Sequence, residues 1–364
     1  LRIKYEESKH QMTKKKLNNT KPEVAFFEIE PWEQEYIKKG LKGFKLRFFE
    51  NIIGKKDLKN LKNISVLSPF IYSKVDKNIL ESLPALKLVA TRSTGFDHID
   101  VAGADKKKVK VCNVPFYGEN TVAEHAFALI LSLSRNIHLS HERTMKGDFR
   151  LDGLQGFDLK DKTIGIIGGG HIGQHVARIA RGFEMNILVS DPNRDPKLAK
   201  RFGFKYTSLE NLLKKSQVIT LHAPYNKHTH HLINCKNIKL IQPGTILVNT
   251  ARGGLIDTTA LVEALHDGRL AGLGTDVLEA EKYVFKEERE LVSPKFTGKP
   301  KEDKEWLKTI VEQHVLINSS QVVVTPHNAF NSKEALQRIL DTTIENITKW
   351  YTKKKLNNQV IIKK

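Results

Sequence analysis

The sequence has little cysteine and no long run of apolar residues. Its two cysteines, Cys112 and Cys235, lie in unrelated segments of a 364-residue chain, so they suggest no disulfide framework, and a reducing cytoplasm is the expected location. The longest apolar stretch, AFALILSL at 126–133, is well short of the roughly 18 residues that a membrane span needs. The charged start shows no signal-peptide pattern, and since the first methionine is Met12, residues 1–11 are expected to precede the natural start.

Acidic residues are too few to balance the lysines and arginines, which leaves a formal net charge of +19. Lysine runs at 14–16, 106–108 and 353–355 could bind nucleic acid or could form a solvated surface. The second interpretation is favoured because no recognisable nucleic-acid-binding module accompanies the charge. We therefore expect a small-molecule partner, with neither nucleic acid nor membrane as a partner.

Short apolar segments alternate with helical patterns along most of the chain. Strand-like segments in residues 23–114 are EVAFFEI, FKLRFF, ISVLS, LKLVAT and VKVCNV, and those in the later block are TIGIIG, NILVSD, VITLHAP, TILVNTA, AGLGTDV and QVVVTP. Pro31 and Gly40 are expected to begin and end a helix, residues 120–148 one long helix, and residues 332–354 a last helix that packs on the first block. A charged, roughly helical insertion follows Glu281 and ends before Gln321. The alternation predicts an α/β protein with doubly wound parallel sheets.

Each strand of the second block ends in a small or polar residue. These residues are Gly168, Asp191, His222, Thr250, Asp276 and His327. Ligands of open parallel sheets bind at the carboxyl ends of the strands, so these ends predict one binding crevice.

Gly168, Gly170 and Gly173 form a G-x-G-x-x-G pattern at a predicted strand-to-helix junction. The glycines allow a tight turn, and the start of the helix offers free N–H groups to a pyrophosphate. Asp191, at the end of the next strand, can accept hydrogen bonds from a ribose diol and repel a 2′-phosphate. The combination predicts NAD as the cofactor, although Arg194 leaves open that a 2′-phosphate is accommodated.

Arg252 follows another apolar strand, and its guanidinium fork suits a substrate carboxylate held by two hydrogen bonds. Beyond the next strand lie three carboxylates, Asp276, Glu279 and Glu281, any of which could pair with His327. A histidine beside a carboxylate is a proton carrier, because the negative charge stabilises the imidazolium.

Two other histidine patterns have competing interpretations. HTHH at 228–231 could bind a metal, but a loop beside the cofactor is the simpler role, and no metal is expected. Glu124 and His125 are adjacent on a predicted helix and therefore point in different directions, so we assign them to packing near the nicotinamide and not to an acid–base pair.

The segments STGFDHID, NVPFYGENTVAEHA, IGIIGGGHIG, LHAP, VNTARGGLID, GTDVLEAE and TPHNAF together resemble the D-isomer-specific 2-hydroxyacid dehydrogenases, most closely the D-lactate dehydrogenases. The resemblance covers about residues 60 to 350. It implies that Arg252 binds the substrate's carboxylate and carbonyl oxygen, that Glu281 orients His327, and that His327 is the acid–base. It also implies that Thr94 and Gly95 bind the substrate carboxylate through backbone N–H groups.

Further site residues follow from the same resemblance. The implied cofactor contacts, beside the three motif glycines, are His171, Ile172, Asp191, Ala223, Pro224, Thr229, Thr250, Ala251 and Asp276. Tyr117 matches an aromatic residue that D-lactate dehydrogenases place against the substrate, and Phe70 and Phe330 are expected to complete an apolar wall. Such a wall leaves room for little more than the methyl group of pyruvate.

The resemblance implies a Rossmann NAD-binding domain, residues 119–328, inserted into a flavodoxin-like substrate domain made of 1–118 and 329–364. It also implies a homodimer through the 120–148 helix. The expected activity is NAD-dependent reduction of a small 2-keto acid, most simply pyruvate to D-lactate. The alternatives are a dehydrogenase of another 2-hydroxy acid and a binding protein whose association is controlled by NAD, as the family's transcriptional corepressors imply.

Overall fold

The computed structural model describes residues 21–279, 281 and 303–361, which form two compact units. Of these described residues, the first unit holds those up to Tyr117 together with those from Lys333 onward, and the second holds those between Gly118 and Ser332. The chain therefore leaves the first unit once and returns to it once. Within the described ranges, no helix has both the length and the apolar content that a membrane crossing requires.

The first unit is built on a five-stranded parallel sheet of order β2-β1-β3-β4-β5, which is the flavodoxin-like order expected from the sequence. Its elements are β1 (Glu23–Phe27), α1 (Pro31–Gly40), β2 (Lys45–Phe49), α2 (Lys55–Leu58), β3 (Val66–Ser68), α3 (Lys77–Ser82), β4 (Leu88–Ala90), α4 (Val101–Lys106) and β5 (Lys110–Cys112). Both faces of β1 are buried, with Val24 and Phe26 in one core and Ala25 and Phe27 in the other. This burial explains why the strand is apolar at successive positions.

Helix α1 begins and ends where the sequence predicts. Pro31 occupies its first turn, and the Glu33 side chain accepts a hydrogen bond of 2.8 Å from the Glu30 N–H, which would otherwise lack a partner at the helix start.

The second unit is built on a seven-stranded parallel sheet of order β12-β11-β10-β9-β6-β7-β8. Its elements are α5 (Glu119–Ser134), α6 (Ile137–Met145), β6 (Thr163–Ile167), α7 (His171–Gly182), β7 (Asn186–Ser190), α8 (Pro196–Phe202), β8 (Lys205–Tyr206), α9 (Leu209–Lys215), β9 (Val218–Leu221), β10 (Thr245–Asn249), α10 (Thr258–His266), β11 (Leu270–Thr275), α11 (Asp303–Ile317) and β12 (Val322–Val324). Read from β6 outward in both directions, this is the Rossmann order with one further strand. The expectation of two doubly wound parallel-sheet domains is confirmed.

The segment 120–148, expected to be one long helix, is two helices, so this prediction is wrong. Helix α5 ends because the Ser134 carbonyl accepts the N–H of Phe157 at 2.9 Å, while Asn136 adopts a left-handed conformation with φ 50°. Asparagine tolerates that conformation better than most residues. Helix α6 then starts at Ile137.

The charged insertion contributes one described helix, α11, which packs against α10 and β12. The rest of the insertion, residues 282–302, and the extension at residues 1–11 lie outside the described residues.

The last helix, α12 (Lys333–Tyr351), packs in the first unit against α1 and β4, as expected from the sequence. Leu340 and Ile347 from α12 share a core with Val24 and Phe26 of β1. The first unit therefore needs both ends of the chain for its hydrophobic core.

Candidate active site

The polar residues expected at strand ends follow neighbouring strands of the seven-stranded sheet. Gly168, Asp191, His222, Thr250, Asp276 and His327 come just after β6, β7, β9, β10, β11 and β12, respectively. Because the strands are parallel, these residues share the carboxyl edge of the sheet. The candidate site is built on this edge.

The glycine loop has the shape of a phosphate-binding turn. Gly168 has φ 100°, which side chains with a Cβ rarely adopt, and a Cβ at Gly173 would lie 2.1 Å from the carbonyl oxygen of Gly168. A Cβ at Gly170, in contrast, would meet no atom within 4 Å. Gly170 precedes the N-terminus of α7, where His171 and Ile172 begin the twelve-residue helix. The loop thus keeps open space beside the first N–H groups of α7, which fits a pyrophosphate.

Asp191 already accepts two backbone hydrogen bonds. Its Oδ2 lies 2.7 Å from the N–H of Gly169, and its Oδ1 lies 2.7 Å from the N–H of Asn193. The first bond ties the glycine loop to the end of β7. Arg194, the residue that left NADP open, instead donates to the Thr207 carbonyl at 3.3 Å.

Two neighbouring strand ends carry buried polar atoms that have no hydrogen-bond partner among the described residues. They are Oγ1 of Thr250 and Nδ1 of His222, whose Nε2 lies 2.8 Å from Oγ1 of Thr220. Burial lowers the pKa of His222 to about 3, so the ring is neutral near pH 7. Unpaired buried atoms at a binding edge suit the polar groups of a bound dinucleotide.

The loop after β9 is held by its own side chains. The hydroxyl of Thr229 donates to the carbonyl of Pro224 at 2.6 Å and accepts from the N–H of Asn226 at 2.8 Å. This turn fixes the backbone that follows Ala223. The predicted cofactor contacts Ala223, Pro224 and Thr229 thus belong to one ordered loop at the sheet edge.

His327 and Glu281 form a close pair. Nδ1 of His327 lies 2.7 Å from Oε1 of Glu281, and because a carboxylate only accepts, Nδ1 donates and Nε2 remains for proton exchange. The backbone of His327 is left-handed, with φ 53°, and its N–H donates to the carbonyl of Asp276 at 2.8 Å. Strained backbone of this kind persists only where the surroundings hold it.

Asp276 supplies much of that support. Its side chain is 1% exposed, and its two oxygens accept the N–H groups of Asn328 and Ala329, both at 2.9 Å, and the hydroxyl of Thr325. The residue predicted as a cofactor contact therefore also anchors the loop that carries His327. Thr325 has a second neighbour, Nε2 of His125, at 2.9 Å. The pattern of the sequence alone does not single out Thr325, and it places His125 only in packing.

Arg252 follows β10 with its guanidinium unpaired by any carboxylate among the described residues. Its Nη1 donates to the Ala251 carbonyl at 2.7 Å. The Asn249 side chain holds the loop by two hydrogen bonds. It accepts from the N–H of Ala251 at 3.0 Å and donates to the carbonyl of Arg252 at 3.0 Å. A partly buried cation without a counterion suits an anionic ligand.

The three carboxylates after β11 have separate partners. Asp276 anchors a loop and Glu281 pairs with His327, as described above, while Oε1 of Glu279 lies 2.7 Å from Nε2 of His231. His231 belongs to the HTHH segment, whose neighbouring His230 lies 3.1 Å from the hydroxyl of Tyr225. Within the described ranges, no group of three or more metal-ligating side chains is clustered.

The predicted substrate-binding residues are divided between the units: Thr94, Gly95, Phe70 and Tyr117 belong to the first and Phe330 to the second. The Thr94 hydroxyl donates to the carbonyl of Val114 at 2.7 Å, and the Thr94 carbonyl accepts from Nδ2 of Asn113 at 2.8 Å. The loop after β4, which carries Thr94 and Gly95, is thereby held against the loop after β5.

Two charged residues outside the recognised motifs organise the loop that carries Phe70. The carboxylate of Glu28 accepts the N–H groups of Phe70, Tyr72 and Ser73 at 3.2, 2.9 and 2.9 Å. The guanidinium of Arg92 is 1% exposed, lies 5.4 Å from the centre of the Phe70 ring and donates to the Glu28 carbonyl at 2.6 Å. Sequence pattern gives no sign of this arrangement, because its parts are far apart in the chain.

Comparison with known proteins agrees with this geometry. Residues 127–329 match the family model for the D-isomer specific 2-hydroxyacid dehydrogenase NAD binding domain. A "2-hydroxyacid dehydrogenase homolog" of Haemophilus influenzae is 34% identical over 345 residues, which is 93% of this chain and 99% of that protein.

Solved structures are similar over nearly the whole chain. The pyruvate reductase of Chlamydomonas reinhardtii superimposes with a TM-score of 0.82 at 32% identity, covering 93% of this chain and 99% of that one. The D-lactate dehydrogenase of Aquifex aeolicus, solved with NAD and lactic acid, gives a TM-score of 0.79 at 34% identity, covering 94% and 100%. This chain therefore belongs to the D-isomer-specific 2-hydroxyacid dehydrogenase family, close to the D-lactate dehydrogenases, and is an NAD-dependent oxidoreductase.

Proposed function

We propose that this enzyme reduces pyruvate to D-lactate, with His327 as the acid–base. The observation that carries the proposal is the 2.7 Å pair of His327 and Glu281 at the same sheet edge as Arg252, whose guanidinium meets no carboxylate among the described residues. An anion-binding group and a proton carrier are what reduction of a 2-keto acid requires of the protein. Relatives described as a pyruvate reductase and as a D-lactate dehydrogenase with lactic acid support the choice of substrate.

The protein's part in the reaction follows from these groups. Arg252 binds the carboxylate and the carbonyl oxygen of the keto acid, which holds the carbonyl in one orientation. The bound cofactor supplies the hydride during reduction and accepts it during oxidation. His327 gives the proton on Nε2 to the carbonyl oxygen as the new C–H bond forms, and removes it in the reverse direction. Glu281 fixes the ring through Nδ1 and stabilises the imidazolium.

The same proposal assigns the cofactor-binding residues. Gly170 and the start of α7 hold the pyrophosphate, and Asp191 accepts the ribose hydroxyls. The existing bonds from Gly169 and Asn193 to Asp191 support this, because they fix the carboxylate at the strand end before a ligand arrives. The remaining contacts predicted from the sequence, including Ile172, Thr250 and Ala251, complete that set.

Substrate preference is proposed to depend on aromatic residues, namely Tyr117, Phe70 and Phe330. They favour a methyl group, so pyruvate is preferred over larger keto acids by a graded margin, since a hydrophobic pocket discriminates by about 1–3 kcal/mol per methylene. Thr94 and Gly95 are proposed to add backbone donors to the substrate carboxylate.

The direct test measures NADH oxidation by the purified protein with pyruvate, glyoxylate, 2-ketobutyrate, 2-ketoisocaproate and phosphohydroxypyruvate, followed by chiral chromatography of the product. We expect pyruvate to be preferred and the product to be D-lactate. A preference for 2-ketoisocaproate or phosphohydroxypyruvate would remove the lactate assignment. Tight NADH binding without turnover of any keto acid would instead indicate an NAD-controlled binding protein.

We further propose a cytoplasmic homodimer. The location is supported by Cys112 and Cys235, which are both free thiols. The dimer is supported by large apolar side chains exposed on and just after α6: Ile137, Met145, Phe149 and Leu151 are 54, 75, 76 and 82% exposed. Light scattering should give twice the chain mass, and the variant Phe149→Glu should give less dimer at the same concentration.

A further inference from the structure

The structure contains a second histidine–carboxylate pair that the proposed reaction does not use. Nε2 of His231 lies 2.7 Å from Oε1 of Glu279, the same separation as in the pair of His327 and Glu281. The other oxygen of Glu279, Oε2, accepts the hydroxyl of Thr258 at 2.7 Å. Each carboxylate oxygen of Glu279 therefore accepts a hydrogen bond from a side chain of the protein.

The two members of this pair lie on either side of the turn that follows Arg252. That turn, Gly253–Leu255, is a single turn of 3-10 helix. On one side, the N–H of His231 donates to the Gly254 carbonyl at 2.9 Å, and the backbone of His231 is left-handed, with φ 48°. On the other side, a Cβ at Gly253 would lie 2.1 Å from the carbonyl carbon of Leu278 and 2.3 Å from the nitrogen of Glu279. The side-chain bond between His231 and Glu279 joins the two segments that contact the turn.

We propose that the pair of His231 and Glu279 positions Arg252 for the substrate's carboxylate. This inference rests on the proposed function, since it assigns a support to the substrate-binding arginine. Among the described residues, no carboxylate pairs with the guanidinium of Arg252, so its placement depends on its backbone and on the bond from Nη1 to the Ala251 carbonyl. Asn249 fixes that backbone on the upstream side, and the pair of His231 and Glu279 fixes it on the downstream side. A guanidinium that is out of line with the carboxylate loses part of the paired N–H···O bonding that binds the keto acid.

The hydrogen bonds continue from this pair to the insertion helix α11. Nε2 of Gln313 donates to Oγ1 of Thr258 at 2.9 Å, and both side chains are 2% exposed. The chain of bonds thus runs from α11 through Thr258 and Glu279 to His231. Because buried polar groups are costly when unpaired, each member is held by the next. Part of the insertion is in this way connected to the arginine that binds the substrate.

The test compares His231→Asn with the matched control His230→Asn. Asparagine tolerates the left-handed backbone at 231 but is too short to reach Glu279. His230 is the exposed neighbour, which stacks on His231 and has no contact with Glu279. For His231→Asn we expect KM for pyruvate to rise about tenfold or more, and the dissociation constant of oxamate, a non-reacting pyruvate analogue, to rise likewise. This is the usual effect of losing one charge-assisted hydrogen bond, here between Arg252 and the carboxylate of the ligand. The turnover number should change less than about threefold, as for lost ground-state binding.

Oxamate binding is measured on the NADH-bound protein by fluorescence, so the readout does not need turnover. Glu279→Gln, which keeps the shape of the side chain, should act in the same direction, and the double variant should be no worse than the stronger single variant. NADH affinity should stay as in the control. Wild-type values of oxamate affinity and KM in His231→Asn would overturn the inference, as would an equal loss of NADH affinity. A wild-type protein that fails to reduce pyruvate would overturn the proposed function instead.

Discussion

The glycine loop offers one substitution at two positions with opposite expected consequences. In Gly173→Ala the new methyl group would lie 2.1 Å from the backbone oxygen of Gly168, well inside the 3.0 Å that real Cβ contacts respect. A backbone oxygen cannot rotate away, so the strain is expected at the upper end of the overpacking range, about 3 kcal/mol. A unit of this size loses roughly 2–4 °C of melting temperature per kcal/mol, so Tm should fall by about 6–12 °C.

Gly170→Ala places its methyl group in open space and on a backbone with φ −67°, which alanine adopts readily. Its melting temperature should match or slightly exceed that of the wild type, since alanine restricts the unfolded chain by about 0.4–1 kcal/mol. The open space is where a pyrophosphate would approach the backbone, so the NADH dissociation constant should rise by about tenfold or more, corresponding to about 1.4 kcal/mol.

The assays are thermal unfolding followed by circular dichroism and NADH titration followed by fluorescence, both on the full chain. Normal NADH affinity in a normally melting Gly170→Ala variant would refute the placement of the pyrophosphate. A Gly173→Ala variant that melts like the wild type would refute the packing argument for that glycine.

Three further predictions concern single side chains. His327→Ala should lower turnover by roughly 10²–10⁴-fold while NADH affinity stays within about twofold, the usual effect of losing a positioned general acid; wild-type turnover in steady-state assays would remove the residue from the reaction. Asp191→Ser should weaken NADH and improve NADPH because a repulsive carboxylate disappears; equal use of both cofactors by the wild type would contradict this. His222 has a pKa lowered to about 3 by burial, against about 6.5 when unfolded, so its contribution to stability is present above about pH 6.5 and is lost as the pH falls toward 3. When the pH falls from about 7 to about 5, the free energy of unfolding measured in urea should therefore decrease by about 2 kcal/mol more in the wild type than in His222→Asn. Equal decreases in the two proteins would show that the ring becomes charged in the folded protein.

Much of the fold was predictable because its signals are local. Short apolar strands alternate with helices along the chain. Pro31 has a restricted backbone that suits the first turn of α1, and Gly40 has a permissive backbone that suits its end. Helix α8 carries similar marks, with Asp195 as its cap, Pro196 in its first turn and Gly203 after its end, but seven residues give too little hydrophobic periodicity to be noticed. The end of α5 could not be predicted from its own residues, since it depends on a hydrogen bond from a residue in position 157.

The candidate site was also predictable only in part from the sequence. Residue types at strand ends indicate the cofactor edge, because parallel topology alone brings strand ends together. Which carboxylate pairs with which histidine is not local: Glu279 and Glu281 are two residues apart, yet their partners are His231 and His327. The contact of Gln313 with Thr258 spans 55 positions, and no spacing rule anticipates it.

The path of the chain has a consequence for the order of folding during synthesis. The second unit is continuous in sequence, so the ribosome delivers all of it before the first unit is complete. Strand β1 emerges first, but Val24 and Phe26 bury themselves partly against Leu340 and Ile347 of α12, which are made more than 300 residues later. Until then the side chains of Val24 and Phe26 lack part of the apolar surface that buries them in the folded protein. A deletion that removes α12 should consequently destabilise the five-stranded sheet more than the seven-stranded sheet.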